Sequence, residues 1–238
     1  MTQDSPVFCA IDRPDLKGAL ALGESLVDAV GGLKVGLEFI TANGPVGIRK
    51  IVDLGLPVFL DVKFHDIPNT VHGAIRAVGD LGVAMLTLHL SGGPAMLEAA
   101  VAAAKAIEGR RPWLLGVSVL TSMDDHDLEA VGVRDKTEDQ VLRLAELARA
   151  SGLDGMICSP KEIAPLKQRF GDSLKLVVPG IRPKGSAAGD QKRTLTPADA
   201  IEAGADLLVI GRPITEAPDP RAAALTIQAE IDAARKAA

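Results

Sequence analysis

Short apolar runs alternate with stretches of helical spacing along the whole of this chain, and that alternation limits its fold more than any other feature. The strand candidates are Val7–Ile11, Leu33–Leu37, Val58–Val62, Met85–Leu90, Trp113–Leu120, Gly155–Cys158, Leu174–Val178 and Leu207–Ile210. Between them lie segments with Leu, Ala, Val and Ile at helical spacing, such as Leu16–Val30, Val71–Leu81, Ala95–Ile107, Glu138–Ala150 and Ala222–Ala234. Strand–helix alternation implies a parallel sheet, because a parallel pair needs a crossover that a helix supplies. Eight strands in 238 residues predict an α/β protein, a single-domain (β/α)8 TIM barrel over residues 1–238. A doubly wound open sheet is the structural rival, which strand count alone does not exclude. Gly55, Gly82 and Gly204 each follow a helical pattern and precede a strand, where a helix ends on a left-handed glycine.

Composition narrows the partners. With a formal net charge of -5 and no basic cluster interleaved with aromatics, neither nucleic acid nor an anionic membrane is an expected ligand. The chain has no tyrosine and one tryptophan, Trp113, so few platforms exist on which bases could stack. Cys9 and Cys158 sit in apolar runs and read as buried free thiols; no Cys/His spacing suggests a metal. The first residues lack the charged and apolar regions of a signal peptide, and no apolar run would span a bilayer. The expectation is a soluble cytoplasmic protein without a structural metal site.

The chemistry concentrates in Asp61-Val62-Lys63-Phe64-His65-Asp66-Ile67-Pro68-Asn69-Thr70, which follows the apolar run Leu56–Leu60. Residues two apart on a strand face one side, so Asp61 and Lys63 point together, with Asp66 just past the strand end. Asp12 ends the first strand candidate and Lys34 lies within the second. In a closed barrel these strand ends are neighbours, and alternating signs lower the cost of burial while keeping the lysines protonated. An ammonium held beside carboxylates can deliver a proton to a carbanion. Late in the chain, Pro179-Gly180-Ile181-Arg182 follows the seventh strand and Gly211-Arg212-Pro213-Ile214 the eighth, the usual phosphate-binding loops of such barrels. Gly211 allows close backbone approach, Pro213 suits a first helical turn, and Arg212 supplies countercharge. The polar, basic loop Arg182–Arg193 is expected to act as a lid over an anion. His65 is expected to serve packing, His89 to face the barrel interior, His72 to be structural and His126 to be solvated.

Several blocks of the sequence, quoted as they stand, resemble the orotidine 5′-monophosphate decarboxylase family: Ala10-Ile11-Asp12, Leu33-Lys34-Val35-Gly36, Asp61 through Val71, Val119-Leu120-Thr121-Ser122-Met123, Val178 through Arg182, Gly189 through Arg193, and Val209 through Ile214. The resemblance spans nearly the whole chain. It implies a homodimer whose active sites lie at the interface, with no metal and no organic cofactor. It implies catalysis by Lys34, Asp61 and Lys63, with Asp66 reaching into the partner's site. Asp12 would hold the ribose, helped by Thr70 across the interface, and Thr121 would meet the pyrimidine beside Ser122. Gln191 and Arg212 would grip the phosphate, with Pro179, Gly180, Arg182 and Gly211 also binding substrate. The implied reaction converts orotidine 5′-monophosphate to uridine 5′-monophosphate, a step of de novo pyrimidine synthesis.

Two other functions stay open at this point. A metal-dependent sugar-phosphate decarboxylase or aldolase resembles the chain in its Asp-x-Lys-x-x-Asp spacing, but Lys34 and Gln191 suit a nucleotide better. A non-catalytic nucleotide sensor would not require Lys63 and both motif aspartates.

Overall fold

The computed structural model describes residues 5–183 and 195–237. Among them, eight parallel strands pair in sequence order and close, the last against the first. In chain order the elements are β1 (Val7–Ala10), α1 (Leu16–Leu26), β2 (Gly32–Val35), α2 (Leu37–Val52), β3 (Val58–Phe64), α3 (Pro68–Gly79), β4 (Met85–His89) and α4 (Pro94–Lys105). They continue as β5 (Trp113–Val117), α5 (Asp125–Ala130), α6 (Thr137–Ala150), β6 (Gly155–Ile157), α7 (Ile163–Phe170), β7 (Lys175–Val178), α8 (Pro197–Glu202), β8 (Leu207–Ile210), α9 (Arg212–Thr215) and α10 (Pro220–Ala237). This is the (β/α)8 barrel, and the open-sheet rival falls with the closure. No helix among the described residues is long and apolar enough to cross a membrane.

The two-residue period of the strands divides the core in two. One set of side chains packs between the sheet and the helices, including Cys9, Leu33, Leu60, Leu86, Leu88 and Ile210. The other fills the barrel: Phe8, Ala10, Phe59, Met85, Leu115, Val177 and Val209. Gly32 belongs to the inner face, where an added Cβ would lie 2.1 Å from the Phe8 ring, so the glycine gives that ring its space.

Several boundaries differ from the sequence expectation. The second strand stops at Val35, and Leu37, placed on a strand by its apolar neighbours, begins α2 and is exposed. The fifth strand ends at Val117, and Val119–Thr121 line a cavity beyond it instead. The first helix ends at Leu26 rather than Val30, where Asp28 turns left-handed and Arg221 of α10 donates to the carbonyls of Ser25 and Val27. The glycines at 55, 82 and 204 have φ of 84°, 74° and 106°, the left-handed helix ends expected of them.

At the N-terminal rim, two carboxylates lock neighbouring strands. Asp154 accepts from the Leu114 N–H and pairs with Arg111; Asp206 accepts from the Leu176 N–H and pairs with Lys167 and Lys175. Rim contacts of this kind maintain the barrel, while the opposite mouth is left for chemistry.

Candidate active site

One step of two residues beyond the apolar inner layer, the side chains at the C-terminal mouth become polar. Asp12 follows Ala10, Asp61 follows Phe59, and Thr87 follows Met85 at that spacing, while Ala10 and Phe59 flank Lys34 in register. Lys34 Nζ lies 3.0 Å from Asp12 Oδ1 and 3.8 Å from Asp61 Oδ2, and Lys63 Nζ lies 2.8 Å from Asp61 Oδ1. The four charges form one alternating line across three strands. The Lys34 side chain is only 10% exposed. Burying its ammonium costs several kcal/mol. At an effective dielectric of ~20, attraction is about 5.5 kcal/mol at 3.0 Å and about 4.4 kcal/mol at 3.8 Å. Asp12 is half exposed, so water weakens the first of these. Asp61, with its side chain 17% exposed, is therefore the better-shielded counter-charge to Lys34.

Lys63 has a left-handed backbone, φ 51°. It stands at a break in the β3–β4 ladder, where Leu60 pairs with Leu86 and Phe64 pairs with Leu88. Asp61, Val62 and Lys63 thus face the single residue Thr87. The fully buried Thr87 hydroxyl accepts from the Lys63 N–H at 2.9 Å and donates to Asp61 Oδ1 at 2.9 Å. Thr87 is a site residue that sequence reasoning missed. Its signal was a lone hydroxyl inside the apolar run Met85–Leu88, where burial demands a partner.

A cavity of about 190 Å³ opens beside the charges. It is lined by the charged Lys34, Asp61 and Lys63, by the apolar Phe59, Val117, Val119, Leu120, Ile157 and Val209, and by Thr121 and Pro179. Ser122 is exposed next to Thr121. A larger hollow of about 720 Å³, lined by Asp124, His126, Lys136 and Lys161 among others, is shallower and lies away from this charged line.

After β7, Gly180 has φ 79°, and Arg182 donates to its own Ile181 carbonyl. Burial and then the positive charge of Arg212 hold the Arg182 guanidinium below its ordinary range. An anion bound near both guanidinium groups would relieve that repulsion. Pro213 sits in the first turn of α9, as expected. A Cβ at Gly211 would make only an ordinary contact, 3.5 Å from that of Ala10, so the protein's own packing does not require glycine there. Gln191 and the lid segment from Lys184 to Arg193 lie outside the described residues.

Asp66 and Thr70 are not brought into the charged line. Both are exposed, the Asp66 carboxylate accepts from the Ile67 N–H, and Asp66 makes no ion pair among the described residues. The ring centroids of His65 and His89 are 5.4 Å apart. Burial, then His65 and Lys63, keeps His89 below the usual imidazole range, so it is the neutral form that the site favours. His72 lies in α3 and His126 is exposed in α5. Burial pushes the Cys9 thiol up to about 12 and raises Cys158 strongly, which makes both inert.

The model of the orotidine 5′-phosphate decarboxylase / HUMPS family matches residues 5–227. The chain belongs to that family. It is 54% identical over 220 residues to an orotidine 5′-phosphate decarboxylase of Alcanivorax borkumensis, covering 92% of this chain and 95% of the relative. It is 51% identical over 231 residues to that of Paramagnetospirillum magneticum, covering 95% and 98%. Among solved structures, the orotidine 5′-phosphate decarboxylase of Lactobacillus acidophilus superposes with a TM-score of 0.83 at 37% identity, covering 96% of this chain and all of that one. Family membership thus agrees with the resemblance drawn from the sequence blocks.

Proposed function

We propose that this chain is a carboxy-lyase that converts orotidine 5′-monophosphate to uridine 5′-monophosphate without metal or organic cofactor. The observation that carries the mechanism is the alternating line Asp12–Lys34–Asp61–Lys63 beside an apolar-lined cavity. Breaking the bond from C6 to the carboxylate leaves its electron pair on C6 and releases carbon dioxide. No ring carbonyl is placed to delocalise that pair, so fixed charge must lower the barrier. Lys63 stabilises the carbanion and then transfers a proton from Nζ to C6; solvent restores the lysine. Asp61 lies by the departing carboxylate and orients Lys63, and Lys34 balances Asp61.

Asp12 holds the ribose and Thr121 meets the pyrimidine, with Ser122 next to it. Arg212, Arg182 and Gln191, with backbone near Pro179, Gly180 and Gly211, bind the phosphate. Phosphate binding acts at a distance from C6, by organising the site. Each carboxylate of the line already faces an ammonium, which is what a charge-stabilised rather than metal-assisted reaction needs.

A second copy of the chain completes the site with its own Asp66 and Thr70, making a homodimer. The exposure of Asp66 and Thr70, and of the large apolar Ile67 at 67%, supports this. The enzyme works in the cytoplasm. The test is loss of orotate absorbance with purified protein in excess EDTA. Steady turnover is the expected result; absence of turnover, or activity restored only by magnesium, would favour the sugar-phosphate reaction or a binding role.

A further inference from the structure

We infer that Thr87 is a positioning residue that sets the geometry of the Asp61–Lys63 pair, an inference that rests on the proposed reaction only for its kinetic readout. Three residues of β3 stand opposite this one residue of β4. A bulge of this kind leaves ladder groups without their regular partners. The Thr87 hydroxyl fills that gap, using its donor and an acceptor at once. By accepting from the Lys63 N–H at 2.9 Å it pins the backbone of a residue held at φ 51°. By donating to Asp61 Oδ1 at 2.9 Å it fixes the same oxygen that receives Lys63 Nζ at 2.8 Å.

One hydroxyl therefore ties both ends of the pair to β4. A non-glycine residue in the left-handed region persists only where its surroundings over-determine it. With 0% exposure, Thr87 leaves no room for solvent to take over either bond. Thr87 also faces the same mouth as the cavity, yet Asp61 and Lys63 line that cavity and Thr87 does not. It acts through them rather than on a ligand.

The test compares Thr87→Val, which keeps shape and loses the hydroxyl, with Thr87→Ser, which keeps the hydroxyl. Losing a bond to a charged group in a preorganised site should lower kcat by about 10- to 100-fold in the valine variant. Binding of uridine 5′-monophosphate should change less than about 3-fold, because phosphate and ribose contacts lie elsewhere. The serine variant should stay within about 3-fold of wild-type kcat. A valine variant with near-wild-type kcat, or a serine variant as impaired as valine, would overturn the inference. Its crystal structure gives a readout independent of turnover: Lys63 should leave φ 51° or its ammonium should leave Asp61. If both stay in place, the inference fails even where the proposed reaction holds. If wild type lacks turnover, the reaction fails while this structural comparison still decides the role of Thr87. Should the valine variant not fold, Thr87→Ala against Thr87→Ser supports the same comparison.

Discussion

Replacing Lys63 by glycine and by alanine separates what the backbone needs from what the reaction needs. Both variants lose the ammonium and the 2.8 Å pair with Asp61, so that loss cancels between them. They differ in how they tolerate φ 51°. Alanine in the left-handed region costs about 1–2 kcal/mol, and glycine escapes that cost. Glycine instead loses about 0.4–1 kcal/mol through the greater freedom of the unfolded chain. The difference leaves Lys63→Gly more stable than Lys63→Ala by about 0.5–1 kcal/mol. At a regular strand position the order is reversed, with glycine worse by about 0.5–1 kcal/mol. For a chain of this size the expected gap is about 1–4 °C in Tm, read by thermal unfolding at matched protein concentration. Turnover should fall by more than ~10⁴ in both, since charge stabilisation disappears together with the proton donor. Alanine proving the more stable variant would refute the strained backbone at Lys63. Near-normal turnover in either variant would remove Lys63 from the chemistry.

Arg212→Ala should lower kcat/KM for the phosphorylated substrate by on the order of 10–10²-fold and hardly change turnover of the nucleoside lacking phosphate; equal losses would give Arg212 a structural role. Mixing poorly active Lys63→Ala and Asp66→Asn dimers should restore activity towards about one quarter of wild type, because half the dimers become hybrids and each hybrid carries one intact site. Activity that stays at the mutant baseline after mass spectrometry confirms subunit exchange would confine Asp66 to its own subunit. Burial acts to raise the Asp206 carboxyl, but the Leu176 N–H, Lys175 and Lys167 outweigh it and hold the group below its ordinary range. Its stabilisation is full above the unfolded carboxylate value of about 3.9 and is lost as pH falls through the lower folded value. Asp206→Asn should therefore be less stable at neutral pH by about 1–3 kcal/mol, and its deficit should shrink in acid denaturation experiments; a pH-independent deficit would assign the effect to packing instead.

Much of this protein follows from local pattern. The two-residue period of Phe59, Asp61 and Lys63 is a property of one strand, and so is the left-handed glycine before each of β3, β4 and β8. The alternation of strands and helices already implied a parallel sheet, and charges at strand ends already implied a common mouth. Tertiary structure decided what depends on two segments at once. Whether Leu37 ends a strand or begins a helix turns on where β2 runs out of a partner, not on its own hydrophobicity. The bulge at Asp61–Lys63 exists only relative to β4, so neither the φ of Lys63 nor the role of Thr87 can be read from either strand alone. The apolar lining of Val117, Ile157 and Val209 is likewise assembled from strands far apart in sequence. Periodicity is a one-dimensional signal, whereas register, closure and a cavity wall are relations between chain segments, fixed when the barrel closes.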